Sequence, residues 1–249
     1  MGKYKKLLVF IVLSFSIFLI FSINKPQAKH AITLVFDDGY ENIYWNAYPL
    51  LKTNGIKAMV CIITNLTEFE GESLMKLNQL REIYENGFEV CSHTMTHQNL
   101  TKLDNFTLQA ELEKSKEWIE INELGNATLL SYPYGEYDER VKEFAKKYYL
   151  FARTAEKGLN DFSPSLDLKT CLLWGNETNN SLEECKEYVR AAAKEGKWGI
   201  ITLHGVVKEN SHKKLNSKYS WVTQSILKDF ILFLKNGNYN IRVLSELVK

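Results

Sequence analysis

Two adjacent carboxylates, Asp37 and Asp38, close the apolar run Leu34-Val35-Phe36 and precede Gly39, and further along Ser92-His93-Thr94-Met95-Thr96-His97 sets two imidazoles at i and i+4. One aspartate with two histidines is a facial ligand set that leaves coordination positions open for water and substrate. If Ser92 caps a helical turn, His93 and His97 lie on one side of it and grip one ion. A spare carboxylate beside that ion can take the proton of an attacking water; the competing reading has Asp37 orient a metal ligand from behind. An HxxxH pair by itself is a weak signal, often a surface accident, but joined to an Asp-Asp pair it points to hydrolytic chemistry. A non-haem iron oxygenase draws on the same ligand types, on a jelly-roll scaffold that the pattern below does not suggest.

The elements that must position these residues alternate along the chain. Strand-like runs at Ala31–Phe36, 57–63, 88–91, 128–131, 149–152, 171–174, 198–203 and 241–243 are separated by helical patterns at 42–53, 73–85, 107–121, 138–147, 181–195 and 220–235. Repeated strand–helix units predict an α/β fold, a distorted or incomplete (β/α) barrel, over a doubly wound open sheet. Asp37-Asp38 follow the first strand, His93 the third, Pro133-Tyr134-Gly135 the fourth and His204-Gly205 the seventh. In a barrel those strand ends share one face, so residues distant in sequence converge there.

These four segments, in this order, resemble the polysaccharide deacetylases, carbohydrate esterase family four. Val35–Gly39 corresponds to the family's Thr-Phe-Asp-Asp-Gly, His93–His97 to its His-Ser/Thr-x-x-His, Pro133–Gly135 to its Pro-Tyr-Gly, and His204 to its late strand-end histidine. The resemblance implies one divalent metal held by Asp38, His93 and His97, zinc first, with cobalt, nickel or manganese as other occupants. It implies Asp37 as general base and His204 as general acid. Pro133 and Tyr134 would line the groove, with the Tyr134 N–H on the oxyanion. Apart from the resemblance, Trp174, and less so Trp221, could offer a sugar-stacking face at the barrel mouth. Many members carry an arginine before Pro-Tyr that pairs with the base; the position nearest to it here is Ser131. Many also carry a late aspartate that tunes the acid histidine, for which only Asp167 or Glu177 could substitute. The Ser-Tyr-Pro-Tyr-Gly and His-Gly forms favour exported poly-N-acetylglucosamine or a related envelope glycan over chitin. The expected reaction is removal of N-acetyl groups from an N-acetylhexosamine polysaccharide; an O-acetyl esterase and an inactive glycan-binding module stay open.

Composition bounds the rest. Of 249 residues, 31 are basic and 30 acidic, and no basic stripe interleaved with aromatics marks a nucleic-acid partner. Lysines ahead of the apolar run Leu7–Ile23 predict a signal peptide or signal anchor over residues 1–29 and a domain facing away from the cytoplasm. Residues 30–249 then form one catalytic domain, expected to be a monomer and tied to the membrane only if the leader is uncleaved. Cys61, Cys91, Cys171 and Cys185 match no zinc pattern and read as buried free thiols, although Cys61 and Cys91 fall on neighbouring strands where a bridge is compatible. Trp45, Trp118 and Trp198 read as packing and His212 as a solvated loop residue.

Overall fold

The computed structural model describes residues 30–176, 180–209 and 221–247; the leader, Glu177 and the loop holding His212 lie outside the described residues. Strands β1 (Ala31–Phe36), β2 (Met59–Ile62), β3 (Glu89–Ser92), β4 (Leu129–Ser131), β5 (Phe151–Lys157), β6 (Leu168–Leu172) and β7 (Trp198–Leu203) form a closed barrel in chain order. Every pairing is parallel, and six residue pairs from Ala31↔Trp198 to Phe36↔Leu203 close β7 onto β1. The expected eighth strand at 241–243 is instead a single bridge, Ile32↔Ile241. β2 pairs with β1 only at Val35 and Phe36. The lower edge of β1 is therefore left to Asn240 and Arg242, whose backbone O and N bond the N and O of Ile32, both at 2.9 Å.

Side chains alternate across each strand, and this splits the core in two. Ile32, Leu34, Phe36, Val60 and Ile201 face the helices. Ala31, Val35, Met59, Cys61, Cys91, Leu129, Phe151, Leu168, Trp198 and Ile200 fill the barrel. Both faces of β1 and β7 are buried, which is why these strands read as unbroken apolar runs. Cys61 and Cys91 sit opposite one another in the β2–β3 register and are joined in a disulfide, correcting the free-thiol reading for this pair. Cys171 and Cys185 are free and buried.

The covering helices are α1 (Tyr48–Thr53), α2 (Leu77–Glu85), α3 (Asn105–Ile121), α4 (Glu139–Ala145), α5 (Leu182–Glu195) and α6 (Gln224–Asn236). Leu182, Cys185, Tyr188, Val189 and Ala192 of α5 form a buried stripe at helical spacing, and Gly196 ends the helix in left-handed backbone, φ 67°. Asp104 caps α3 by accepting from the amides of Phe106 and Thr107. The helix expected over 42–53 is a π-helical segment, Ile43–Ala47, running into α1; Pro49 has no amide hydrogen to continue a regular ladder. The helix expected from residue 73 starts only at Leu77. A hairpin, Glu68–Phe69 with Glu72–Ser73, precedes it and turns on Glu70 and Gly71, φ 53° and 78°. Two successive positive φ values are what a type I′ two-residue hairpin requires.

Candidate active site

Strand alternation explains which side chains reach the barrel mouth. Continuing the inward parity of Ala31 and Val35 leads to Asp37, that of Cys91 to His93, and that of Trp198 and Ile200 to Thr202 and His204. The same parity carries β5 through Arg153 and Ala155 and β6 through Thr170 and Leu172. Asp37, His93, Arg153, Ala155, Thr170, Leu172, Thr202 and His204 line a cavity of about 220 Å³ together with Asp38, Tyr40, Phe69, Glu70, His97, Tyr132, Tyr134 and Gly135.

Asp38 joins Asp37 at the mouth because the chain turns sharply after β1. Asp38 and Gly39 have φ of 67° and 77°, and aspartate tolerates left-handed backbone better than most residues. A side chain on Gly39 would come within 3.0 Å of Ile62 Cγ2. The histidine segment does not form the expected helical turn. Ser92 Oγ accepts from the Thr94 amide at 3.1 Å, Thr94 Oγ1 accepts from the His97 amide at 3.1 Å, and Thr94 and His97 are both left-handed. Hydroxyls bonded to nearby amides replace the helical ladder, and this turn still brings the two imidazoles together.

Asp38 Oδ1 stands 3.3 Å from His93 Nε2 and 3.5 Å from His97 Nε2, and the two Nε2 atoms are 3.1 Å apart. Donor atoms bound tetrahedrally at about 2.0–2.1 Å from a zinc ion would stand roughly 3.4 Å from one another. The donor triangle therefore fits a small divalent cation, and all three residues are buried. His93 Nδ1 donates to the Ser131 carbonyl at 2.8 Å, which leaves Nε2 aimed at the centre. Burial pushes the Asp38 carboxyl up, but the His93 hydrogen bond and the charges of His204, His93 and His97 outweigh it and hold the group at about 2. Burial and then the charge of His93 lower His97 to about 3. Burial also disfavours charge on His93, yet Asp37, Asp38 and the Ser131 carbonyl together raise it above its ordinary 6.5. Metal uptake must then displace a proton from His93. Zinc affinity should rise with pH through the range above 6.5. At a pH below 6.5, calorimetric titration in buffers of differing ionisation enthalpy should show zinc uptake coupled to proton release; a proton-neutral uptake there would contradict this.

Asp37 is 2% exposed. Its Oδ2 accepts a hydrogen bond from Arg153 Nη2, and Oδ1 has no hydrogen-bond partner among the described residues. The guanidinium also donates to Ser131 Oγ and, through Nη1, to the Thr154 carbonyl at 2.7 Å. Ser131 occupies the place where the family pattern has an arginine, and Arg153 is its register partner on the next strand. An arginine thus pairs with Asp37, supplied laterally from the next strand. An arginine inside the apolar run Phe151-Ala-Arg-Thr-Ala is the available sign, but the strand predicted at 149–152 stops one residue short of it.

His204 Nε2 lies 4.0 Å from Asp37 Oδ2, and its buried Nδ1 has no hydrogen-bond partner among the described residues. Asp167 does not supply one: it accepts from Ser165 Oγ at 2.5 Å and lies 3.8 Å from Lys142. Tyr134 is 62% exposed, has φ 60°, and sets its ring 4.7 Å from His97. Phe69 of the hairpin flanks His97 on another side at 4.6 Å. Pro133 is buried and, with Trp174, is not among the described residues lining the cavity; the Trp174 amide donates to Ser181 Oγ and its carbonyl accepts from the Ser181 amide, and Leu172 lines the wall instead. Trp221 is buried against Gly205 and Tyr40. Trp45, read as packing, is 62% exposed, whereas Trp198 is in the core and Trp118 packs against it.

The Asp38–His93–His97 triangle, a set that could hold a metal ion, lies with Asp37 at the C-terminal mouth of a seven-stranded parallel barrel, the (β/α) barrel class of fold. Residues 24–151 match the family model described as polysaccharide deacetylase, and the chain belongs to that family. The poly-β-1,6-N-acetyl-D-glucosamine N-deacetylase of Staphylococcus epidermidis is 32% identical over 142 residues, 52% of this chain and 49% of that protein. YxkH of Bacillus subtilis, assigned as a polysaccharide deacetylase, is 31% identical over 141 residues, 54% of this chain and 48% of its own length. The chain spans about half the length of the curated relatives it matches. The Xyl-CE4 domain of a multidomain xylanase from the hindgut metagenome of Trinervitermes trinervoides shares the fold, with TM-score 0.60 and 22% identity over 88% of this chain and 89% of that one.

Proposed function

We propose that this chain is a metal-dependent hydrolase acting outside the cytoplasm. It removes N-acetyl groups from an N-acetylhexosamine polysaccharide, poly-N-acetylglucosamine or a related envelope glycan, and releases acetate. The observation that carries the reading is the buried Oδ1 of Asp37, without a hydrogen-bond partner among the described residues, beside the Asp38–His93–His97 triangle, with His204 lining the same cavity. A divalent ion, zinc by the donor set, would be held by Asp38, His93 and His97 and would supply Lewis acidity to a water and to the acetamide carbonyl.

The protein groups divide the proton traffic. Arg153 occupies Oδ2 of Asp37, so Oδ1 is the atom that takes the proton of the attacking water. The Tyr134 amide, set by its left-handed backbone, stabilises the negative charge that develops on the carbonyl oxygen. An amine leaves poorly unless protonated, and His204 donates that proton as the C–N bond breaks. The leader pattern and the Cys61–Cys91 disulfide support an oxidising, extracytoplasmic setting.

The test is acetate release from N-acetylglucosamine oligomers by the full chain, before and after chelation and after zinc add-back, with acetylated xylan alongside. Release that chelation abolishes and zinc restores is the expected result. Release from xylan alone would replace the amide by an ester substrate, and no release from either with zinc bound would sink the hydrolase reading.

A further inference from the structure

Left-handed backbone at Thr94 and His97 is a conformation that L-residues leave unless something holds them there. Between these two residues, the chain is fastened from both sides. On the β2 side, the amides of Thr64 and Asn65 donate to the carbonyls of Thr94 and Met95 at 3.2 and 2.9 Å. On the helix side, Glu111 Oε2 accepts from the amides of Met95 and Thr96, each at 2.9 Å, and Oε1 accepts from Thr96 Oγ1.

Glu111 sits midway along α3, where a glutamate would ordinarily face water, yet it is 1% exposed. No ion pair to a lysine or arginine compensates it among the described residues. A buried carboxylate persists only where hydrogen bonds replace its hydration, and here those bonds come from the two residues immediately ahead of His97. We propose that Glu111 is a positioning residue for the metal centre: it clamps the Met95–Thr96 backbone, and so holds His97 Nε2 against His93 and Asp38. This rests on reading those three residues as a divalent-metal site.

Zinc affinity tests it without substrate. The metal-free full chain is titrated with zinc against a chromogenic chelator, well below its thermal midpoint, for the native protein, Glu111→Ala and Glu111→Gln. Loss of a partner that orients metal ligands weakens binding by about 10–100-fold, and that is expected for Glu111→Ala in a chain whose far-ultraviolet dichroism is unchanged. Glu111→Gln should stay within about 3-fold of native, since its amide oxygen can accept from both backbone amides and its NH2 can donate to Thr96 Oγ1. A folded Glu111→Ala variant with native zinc affinity would overturn the role of Glu111 and leave the metal reading standing. A native chain that takes up no zinc would overturn both. If Glu111→Ala does not fold, Thr96→Val decides: removing that one donor should weaken zinc by about 3-fold or more, and an unchanged affinity rejects the proposal.

Discussion

Replacing Asp37 with asparagine should leave a protein that takes up zinc as the native chain does while turnover falls roughly 10²- to 10⁴-fold. The asparagine side chain would keep the shape of the original and could still accept from Arg153, but an amide cannot take a proton from water at neutral pH. Asp37 lies beside the metal triangle and is not one of its corners, so the two readouts should separate. His97→Ala provides the contrast, since removing a corner should lower zinc affinity and turnover together. The comparison needs zinc stoichiometry and acetate release measured on the same preparations. Near-native turnover in Asp37→Asn would show that another group receives the proton, and loss of zinc in that variant would make Asp37 part of the metal-holding set.

Arg153→Met carries the second large effect, and it appears in stability as well as in rate. Arg153 and Asp37 form a pair whose side chains are 4% and 3% exposed. Removing one partner from such a pair leaves an uncompensated buried charge and costs about 3–5 kcal/mol. Urea unfolding of the metal-free protein should register this loss. The double variant Asp37→Asn, Arg153→Met should recover most of it, because no charge then remains buried without a partner. Turnover should stay low in both variants, since neither keeps an oriented carboxylate. Equal destabilisation of the single and double variants would mean that packing of the guanidinium stem, and not charge, is what β5 contributes.

Some of this was readable along the chain because it depends on near neighbours. A strand ending in Asp-Asp-Gly and a second ending in His-x-x-x-His declare their chemistry locally, since parity within a strand decides whether a residue faces inward or outward. Strands Ala31–Phe36 and Trp198–Leu203 were legible to the residue because burial on both faces makes them continuously apolar. Local pattern misjudged the segments whose form is imposed from elsewhere. Residues 93–97 have the spacing of a helical turn, but hydroxyl and carboxylate acceptors from Ser92, Thr94 and Glu111 hold them in another shape. Residues 241–243 read as a strand, yet closure of β7 onto β1 leaves them a single bridge.

What the sequence determined by itself, then, is the ligand types, their order and the inward parity that brings Asp37, His93 and His204 to one mouth. Which partner stands beside each of them is set by how the strands and helices pack. Arg153 reaches Asp37 because β5 pairs with β4 at Ser131, Cys61 meets Cys91 because β2 pairs with β3, and Glu111 is buried because α3 docks over the histidine turn. Those are lateral relations between segments far apart in the chain. They are selected by the packing of the whole barrel, and no local periodicity encodes them.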